Sequence, residues 1–96
     1  MSDRRADIII RNARLIDGSG GESRTGDIAV TDDRISAIGT VRRIAAAVEI
    51  DGRGLAVAPG FIDVHTHDDR AVLCDPLMAC KVSQGVTTVV TGNCGI

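Results

Sequence analysis

The chain has 96 residues, of which 44% are hydrophobic and 25% are charged, and its formal net charge is −2. It has no polybasic stretch, and Phe61 is the one residue among Phe, Trp and Tyr, so we predict no nucleic-acid partner. No apolar run approaches the roughly 18–20 residues that span a bilayer, and no secretory signal is visible. We therefore expect no membrane association and a cytoplasmic location. The composition does not indicate an oligomeric state.

The three cysteines, Cys74, Cys80 and Cys94, are odd in number and have neither zinc-ribbon nor C-x-x-C spacing. We therefore expect no disulfide framework, which agrees with a reducing compartment. None of the glycines forms a G-x-G-x-x-G sequence after a predicted strand, so a nucleotide cofactor is not indicated.

The first part of the chain, residues 1–58, has the pattern of short strands separated by turns. Turn-forming residues occupy positions 17–21, and Asp32-Asp33 is interpreted as a hairpin turn between two alternating segments. Segments rich in β-branched residues predict the strands, which are 7–14, 27–30, 34–39 and 48–50. We predict that this part forms a small β-domain.

The second part, residues 59–96, changes character at Pro59-Gly60. An apolar strand is predicted over residues 61–66, then a helix, then a second apolar strand over residues 86–91. A strand, a helix and a strand within about 30 residues form a βαβ unit, which requires parallel strands and a right-handed crossover. This part of the chain is therefore assigned to the α/β class.

The predicted helix has signals at both ends. Asp75 is a suitable N-cap, Pro76 fits the first turn, and Gly85 fits the left-handed position after the last turn. We expect Leu77 and Cys80 to face the sheet.

His65 and His67 end the first apolar strand and are the candidate metal ligands. Residues i and i+2 of an extended segment project to the same face, so both imidazoles can contact one ion while Thr66 points the other way. A lone histidine is usually structural, but two on one face after an apolar strand favour a metal site. Imidazole is a common ligand of zinc and of similar metals.

Cys94 is the third candidate ligand, because it follows the second strand of the unit. The carboxyl ends of parallel strands meet at one edge of a sheet, where functional groups gather in α/β folds. Cys94 lies between Gly92 and Gly95 in the G-N-C-G segment, which lets the backbone approach a bound ion closely. The alternative is a small buried hydrophobic residue; as a ligand it would be a thiolate.

Asp63 shares the parity of the two histidines and lies one step inside the strand. An aspartate among apolar neighbours is costly to bury without a partner, so we predict that it orients a metal ligand from the second coordination shell, the alternative being a turn or surface carboxylate. Cys74 and Cys80 are interpreted as structural, and residues 68–70 as a solvated ion-pair loop.

Residues 58–67, A-P-G-F-I-D-V-H-T-H, resemble the opening of the amidohydrolase superfamily. The same segment continued through Asp69-Arg70, together with residues 75–77 and 85–96, more narrowly resembles the D-aminoacylases, which are N-acyl-D-amino-acid deacylases. The resemblance runs from about Asp7 to Ile96. The H-x-H sequence identifies the superfamily alone, and G-N-C-G is the more specific motif.

The resemblance implies metal-dependent hydrolysis of the amide bond of N-acyl-D-amino acids, with one or two zinc ions. It implies that His65, His67 and Cys94 are zinc ligands. The general acid/base aspartate and the remaining histidine ligands of the family lie in later segments, so no catalytic residue is expected within these 96 residues. Substrate-carboxylate binding also comes from later segments.

The implied fold is the start of a TIM (β/α)8 barrel over residues 59–96, preceded over residues 1–58 by strands of a small β-sandwich domain. Because a TIM barrel needs about 250 residues, we expect the chain to be an N-terminal part, inactive and poorly stable alone. One rival is an amidohydrolase acting on cyclic amides, such as a dihydroorotase or a hydantoinase. The other is a truncated remnant without catalysis.

Overall fold

The structure is a computed structural model that describes residues 5–92, in which one compact unit ends at Pro59 and another begins at Gly60. The first unit contains a five-stranded sheet. Its strands are β1 (Arg5–Leu15), β2 (Arg24–Thr31), β3 (Arg34–Gly39), β4 (Ala45–Asp51) and β5 (Ala56–Val57).

The longest strand, β1, organises this sheet. It pairs antiparallel with β2 and parallel with β4, and its last residues pair parallel with β5, in the order β3-β2-β1-β4. The small core consists of Ala6, Ile9, Ala29 and Val41. The predicted strands of this part are confirmed, whereas the two-residue β5 was not predicted.

Asp32 and Asp33 form the predicted turn of the β2–β3 hairpin. Asp32 takes a left-handed φ of 54°, a conformation that aspartate tolerates better than most residues that carry a Cβ. The backbone N–H of Asp32 donates to Asp7 Oδ2 at 2.6 Å, which fixes the turn to β1.

Asp27 stabilises an irregularity in β1. The β1–β2 register shifts between Ile10 and Ala13, and Asn12 there has a left-handed φ of 59°. The buried Asp27 carboxylate accepts hydrogen bonds from the backbone N–H groups of Asn12 (2.9 Å) and Val41 (3.0 Å). Burial by itself would raise the pKa of Asp27, but these two bonds and the nearby Arg11 guanidinium outweigh it, and the pKa is lowered.

The second unit pairs two parallel strands, β6 (Phe61–Asp63) and β7 (Val86–Val89), with two short helices between them, α1 (Ala71–Cys74) and α2 (Ala79–Val82). The predicted parallel pairing is confirmed. Both strands are shorter than predicted, since the first ends at Asp63 and the second at Val89. The residues from Val64 to Thr66 belong to the loop that follows the first strand.

The single predicted helix is wrong, because the structure has two helices of four residues each. Asp75 ends α1 and takes an extended conformation (φ −134°, ψ 80°), which is the conformation that a following proline imposes. Met78 then has a left-handed φ of 46°, so α2 begins only at Ala79. The expected left-handed Gly85 is confirmed, with φ 84°.

The packing expected of this segment is also wrong. Leu77 is 82% exposed and Cys80 is exposed, and α2 has no buried residue. Two paired strands offer too narrow a surface to cover a helix on its whole apolar side. No helix within residues 5–92 is long and apolar enough to cross a membrane.

Gly60 permits the close approach of the two strands. The register shifts between Phe61, which pairs with Val86, and Ile62, which pairs with Thr88, so Thr87 is left without a partner in the ladder. A Cβ built on Gly60 would collide with Thr87 Oγ1 and Cγ2 and would lie 2.6 Å from its Cβ. Glycine is therefore required beside this bulge.

We expect Asp27→Asn to destabilise the first unit by about 1–3 kcal/mol, because one buried N–H loses its acceptor. Since the folded pKa of Asp27 is lowered, its contribution is present above the ordinary carboxyl pKa of about 3.9 and is lost as the pH falls through the folded pKa. Hydrogen exchange, corrected for intrinsic rates, should show that the Asn12 and Val41 amides lose protection as the pH falls. The loss of protection with pH should be less steep in Asp27→Asn than in the wild type. The exposed Asp33→Asn is the control; equal behaviour of the two variants would contradict this account.

We expect Gly60→Ala to destabilise the β6–β7 pair by about 1–3 kcal/mol, because Thr87 must move away from the new methyl group. Gly21→Ala is the matched control, since its Cβ would contact only the exposed Ser19 hydroxyl at 3.3 Å. Denaturant unfolding of the two variants measures the difference. If both variants unfold at the wild-type midpoint, the close approach at Gly60 is not a constraint.

Candidate metal centre

His65 and His67 lie in the loop that follows β6, not at the end of the strand itself. Both side chains are exposed, and their rings are nearly parallel, with centroids 5.8 Å apart and an interplanar angle of 22°. The structure therefore brings the two predicted ligands together although the strand ends two residues earlier than His65.

Thr66 explains why the two rings lie side by side. It is 4% exposed, and its hydroxyl donates to the carbonyl oxygen of Val90 at 2.9 Å and accepts from the N–H of Asp68 at 3.4 Å. Because the threonine side chain is anchored inside the unit, its two neighbours along the extended backbone project to the opposite side.

The separation of the two ring centroids is within the reach of one metal ion. Two imidazoles that bind one zinc ion have Zn–N bonds of about 2.0–2.1 Å, so their ring centres lie no more than about 6.5 Å apart. The 5.8 Å between the centroids of His65 and His67 satisfies this limit. Neutral imidazole nitrogens suit zinc and related transition metals.

Asp63 contacts the histidine loop through the backbone. Its Oδ1 accepts a long hydrogen bond of 3.4 Å from the N–H of His65, and its Oδ2 accepts a short one of 2.8 Å from Lys81 Nζ. The hydrogen bond from Lys81 lowers the pKa of Asp63, and the same bond raises the pKa of Lys81. The orienting role predicted for Asp63 would thus act on the main chain of His65.

Lys81 also pairs with a second carboxylate of the loop. Its Nζ lies 3.3 Å from Asp68 Oδ2, which has no aligned hydrogen bond and is therefore held by charge. The Asp68 side chain is only 17% exposed, so the interpretation of residues 68–70 as a solvated loop is wrong for this residue. The sequence analysis missed Lys81, because a lysine on a short helix has no motif that marks its partners.

The third predicted ligand, Cys94, lies outside the described residues. Gly92, two positions before it, donates its backbone N–H to Asp69 Oδ2 at 3.0 Å, and Asp69 lies two positions after His67. Within residues 5–92 no group of three or more His, Cys, Asp or Glu side chains is arranged to hold a metal ion. The described part of the site is therefore the histidine pair.

The other two cysteines were predicted to be structural. Cys74 and Cys80 are exposed free thiols. The structure therefore gives neither of them a buried structural role.

A family model places the chain among known proteins. The model described as the amidohydrolase family matches residues 48–96, which is more than half of the chain. The chain belongs to the amidohydrolase family. Within that family it is similar to the D-aminoacylases, as individual relatives show.

The N-acyl-D-aspartate deacylase of Alcaligenes xylosoxydans xylosoxydans is 60% identical to this amidohydrolase chain over 91 residues, which are 95% of the chain and 18% of the relative. The crystal structure of the N-acyl-D-glutamate deacylase of Bordetella bronchiseptica, complexed with zinc and a phosphonate inhibitor, is 46% identical, with a TM-score of 0.88. That match covers 97% of the chain and 20% of the neighbour. The chain thus spans about a fifth of the length of the relatives it matches.

Two further structures define the range of similarity. A D-aminoacylase studied for its binuclear metal centre is 49% identical, with a TM-score of 0.87 over 95% of the chain and 19% of that protein. The L-hydantoinase of Arthrobacter aurescens is 29% identical, with a TM-score of 0.66 over 88% of the chain and 20% of that protein. These deacylases are therefore more similar to the chain than the L-hydantoinase is.

Proposed function

We propose that the protein carrying this sequence hydrolyses the amide bond of N-acyl-D-amino acids with the help of a bound metal ion. The observation that carries the proposal is the pair of exposed imidazoles, with ring centroids 5.8 Å apart, on a loop of an amidohydrolase chain. The substrate class is supported by the 60% identity to an N-acyl-D-aspartate deacylase.

The residues that would hold the metal are His65, His67 and Cys94, with zinc as the proposed ion and one or two ions per site. When bound, such an ion acts as a Lewis acid that polarises an amide carbonyl and makes water more acidic. This chain would contribute two imidazole nitrogens and one thiolate to the site. Asp63 would support the main chain of His65.

Proton transfer would need a general acid/base, which we expect beyond residue 96. An aspartate there would take the proton of the attacking water and return it to the leaving amine, releasing a carboxylate and a D-amino acid. We assign no catalytic residue within the 96 residues.

The architecture proposed for the complete protein is a TIM barrel that begins with residues 59–96, together with a small β-sandwich domain that includes strands from residues 1–58. The second unit supports this assignment, since two parallel strands joined by helices are the repeating element of such a barrel. The exposed apolar residues Phe61, Ile62 and Val64 need further strands or helices to cover them. A cytoplasmic location stays a prediction.

We expect the complete gene product to hydrolyse N-acyl-D-amino acids and to leave the L-enantiomers and hydantoins unchanged. The measurement is the release of free amino acid. It is repeated after a chelator has removed the metal and again after zinc has been returned. Hydrolysis of hydantoins but not of acyl amino acids would support the cyclic-amide alternative. No hydrolysis of either class by the metal-loaded protein would contradict the proposal.

We expect Cys94→Ala to lower bound zinc and to reduce activity more than about 100-fold, a larger loss than that caused by changing residues outside the coordination shell. Cys80→Ala is the matched control, because it removes an exposed free thiol from the same unit. Metal analysis and kcat/KM should separate the two variants. Equal metal content and activity in both would remove Cys94 from the proposed ligand set.

A further inference from the structure

Two hydrogen bonds join the loop after β6 to the segment after β7. The Thr66 hydroxyl donates to the carbonyl oxygen of Val90 at 2.9 Å, and the backbone N–H of Gly92 donates to Asp69 Oδ2 at 3.0 Å. We call these four residues the cross-loop clamp. Its two side chains come from the histidine loop, and its two backbone groups come from the segment that leads to Cys94.

The two contacts flank the candidate ligands in sequence. Thr66 lies between the two histidines, and Asp69 is two residues past His67, while Gly92 is two residues before Cys94. The hydrogen bond that the Asp69 carboxylate accepts is stronger than one between neutral groups, because the carboxylate is charged.

Asp69 differs from the neighbouring aspartates in its partner. Asp63 and Asp68 both pair with Lys81, a side chain of α2, whereas Asp69 binds main chain of the segment that follows β7. Gly92 has a left-handed φ of 81°, so this segment turns immediately beside the bond. The bond thus constrains a turn that precedes the candidate sulfur ligand.

We propose that Asp69 and Thr66 are positioning residues that hold the segment ending at Gly92 against the histidine loop, and so set the affinity and the sulfur content of the metal site. This inference rests on the proposed function. It adds that the hydrogen bond accepted by Asp69, and not its charge alone, is required.

The test uses the complete gene product loaded with Co²⁺, whose thiolate ligands produce a near-ultraviolet charge-transfer band. Asp69→Ala removes the acceptor, Asp69→Asn keeps an oxygen that accepts from the Gly92 N–H, and Asp75→Ala removes one exposed charge elsewhere in the same unit. Chelator competition gives the Co²⁺ affinity of each variant, and circular dichroism checks folding.

We expect Asp69→Ala to weaken Co²⁺ binding about 10–100-fold and to diminish the band, as changes around metal ligands do. Asp69→Asn should stay within about threefold of the wild type, because it keeps the hydrogen bond. Asp75→Ala should match the wild type. Unchanged affinity and band in Asp69→Ala would overturn the proposal, as would an Asp69→Asn variant as weak as Asp69→Ala or an equal loss in Asp75→Ala.

Thr66 provides a second pair of variants should Asp69→Ala fail to fold. Thr66→Ser keeps the hydroxyl and should retain the band, whereas Thr66→Val keeps the shape without the hydroxyl and should diminish it. Equal bands in these two variants would contradict the positioning role. A wild-type protein that binds Co²⁺ without any thiolate band would instead refute Cys94 as a ligand, so failure of the proposed ligand set is visible before any variant is made.

Discussion

The parallel pairing of β6 with β7 is the constraint on which the candidate site depends. Because parallel strands end at the same edge of a sheet, the loop with the two histidines and the segment that leads to Cys94 leave the sheet side by side. The pairing is held at its start by the Phe61 N–H donated to the Gly85 carbonyl (2.8 Å) and at its end by the Val90 N–H donated to the Asp63 carbonyl (2.9 Å). A side chain at Gly60 would push the strands apart.

The charges around the histidine loop explain why imidazoles, and not carboxylates, are the ligand candidates in the described part of the chain. Three aspartates flank the histidines, and each has a partner in the same unit. Lys81 pairs with Asp63 and Asp68, and the Gly92 N–H donates to Asp69. A carboxylate with such a partner is a poorer ligand for a cation. The exposed His65 and His67 rings are then the donors that the proposed site would present to an ion.

Much of the fold follows from local patterns, and the remainder depends on contacts that those patterns do not encode. Alternating apolar residues predicted β1 to β4 and the hairpin at Asp32-Asp33, and the βαβ pattern predicted that β6 and β7 are parallel. The two-residue β5 was missed because its pairing depends on β1, far away in sequence. The predicted helix failed because the good capping residues at Asp75 and Pro76 were outweighed by the turn that Met78 closes with a left-handed conformation.

The candidate site shows the same division. The i, i+2 spacing of the histidines predicted neighbouring rings, and the structure has them. The rings are neighbours even though the strand stops at Asp63, because the Thr66 hydroxyl is anchored to the segment that follows β7. No sequence signal marked Lys81 or the Asp69–Gly92 bond, since both are tertiary contacts between residues about 20 positions apart. Cys94 is a prediction from its motif and lies outside the described residues.

X-ray absorption spectroscopy of the zinc-loaded complete protein tests the central claim most directly, because it identifies the atoms around the ion. The account predicts one sulfur at about 2.3 Å together with nitrogen or oxygen neighbours at about 2.0–2.1 Å, including the outer-shell scattering typical of imidazole. A shell of nitrogen and oxygen alone would contradict the assignment of Cys94, and the absence of imidazole scattering would contradict that of His65 and His67.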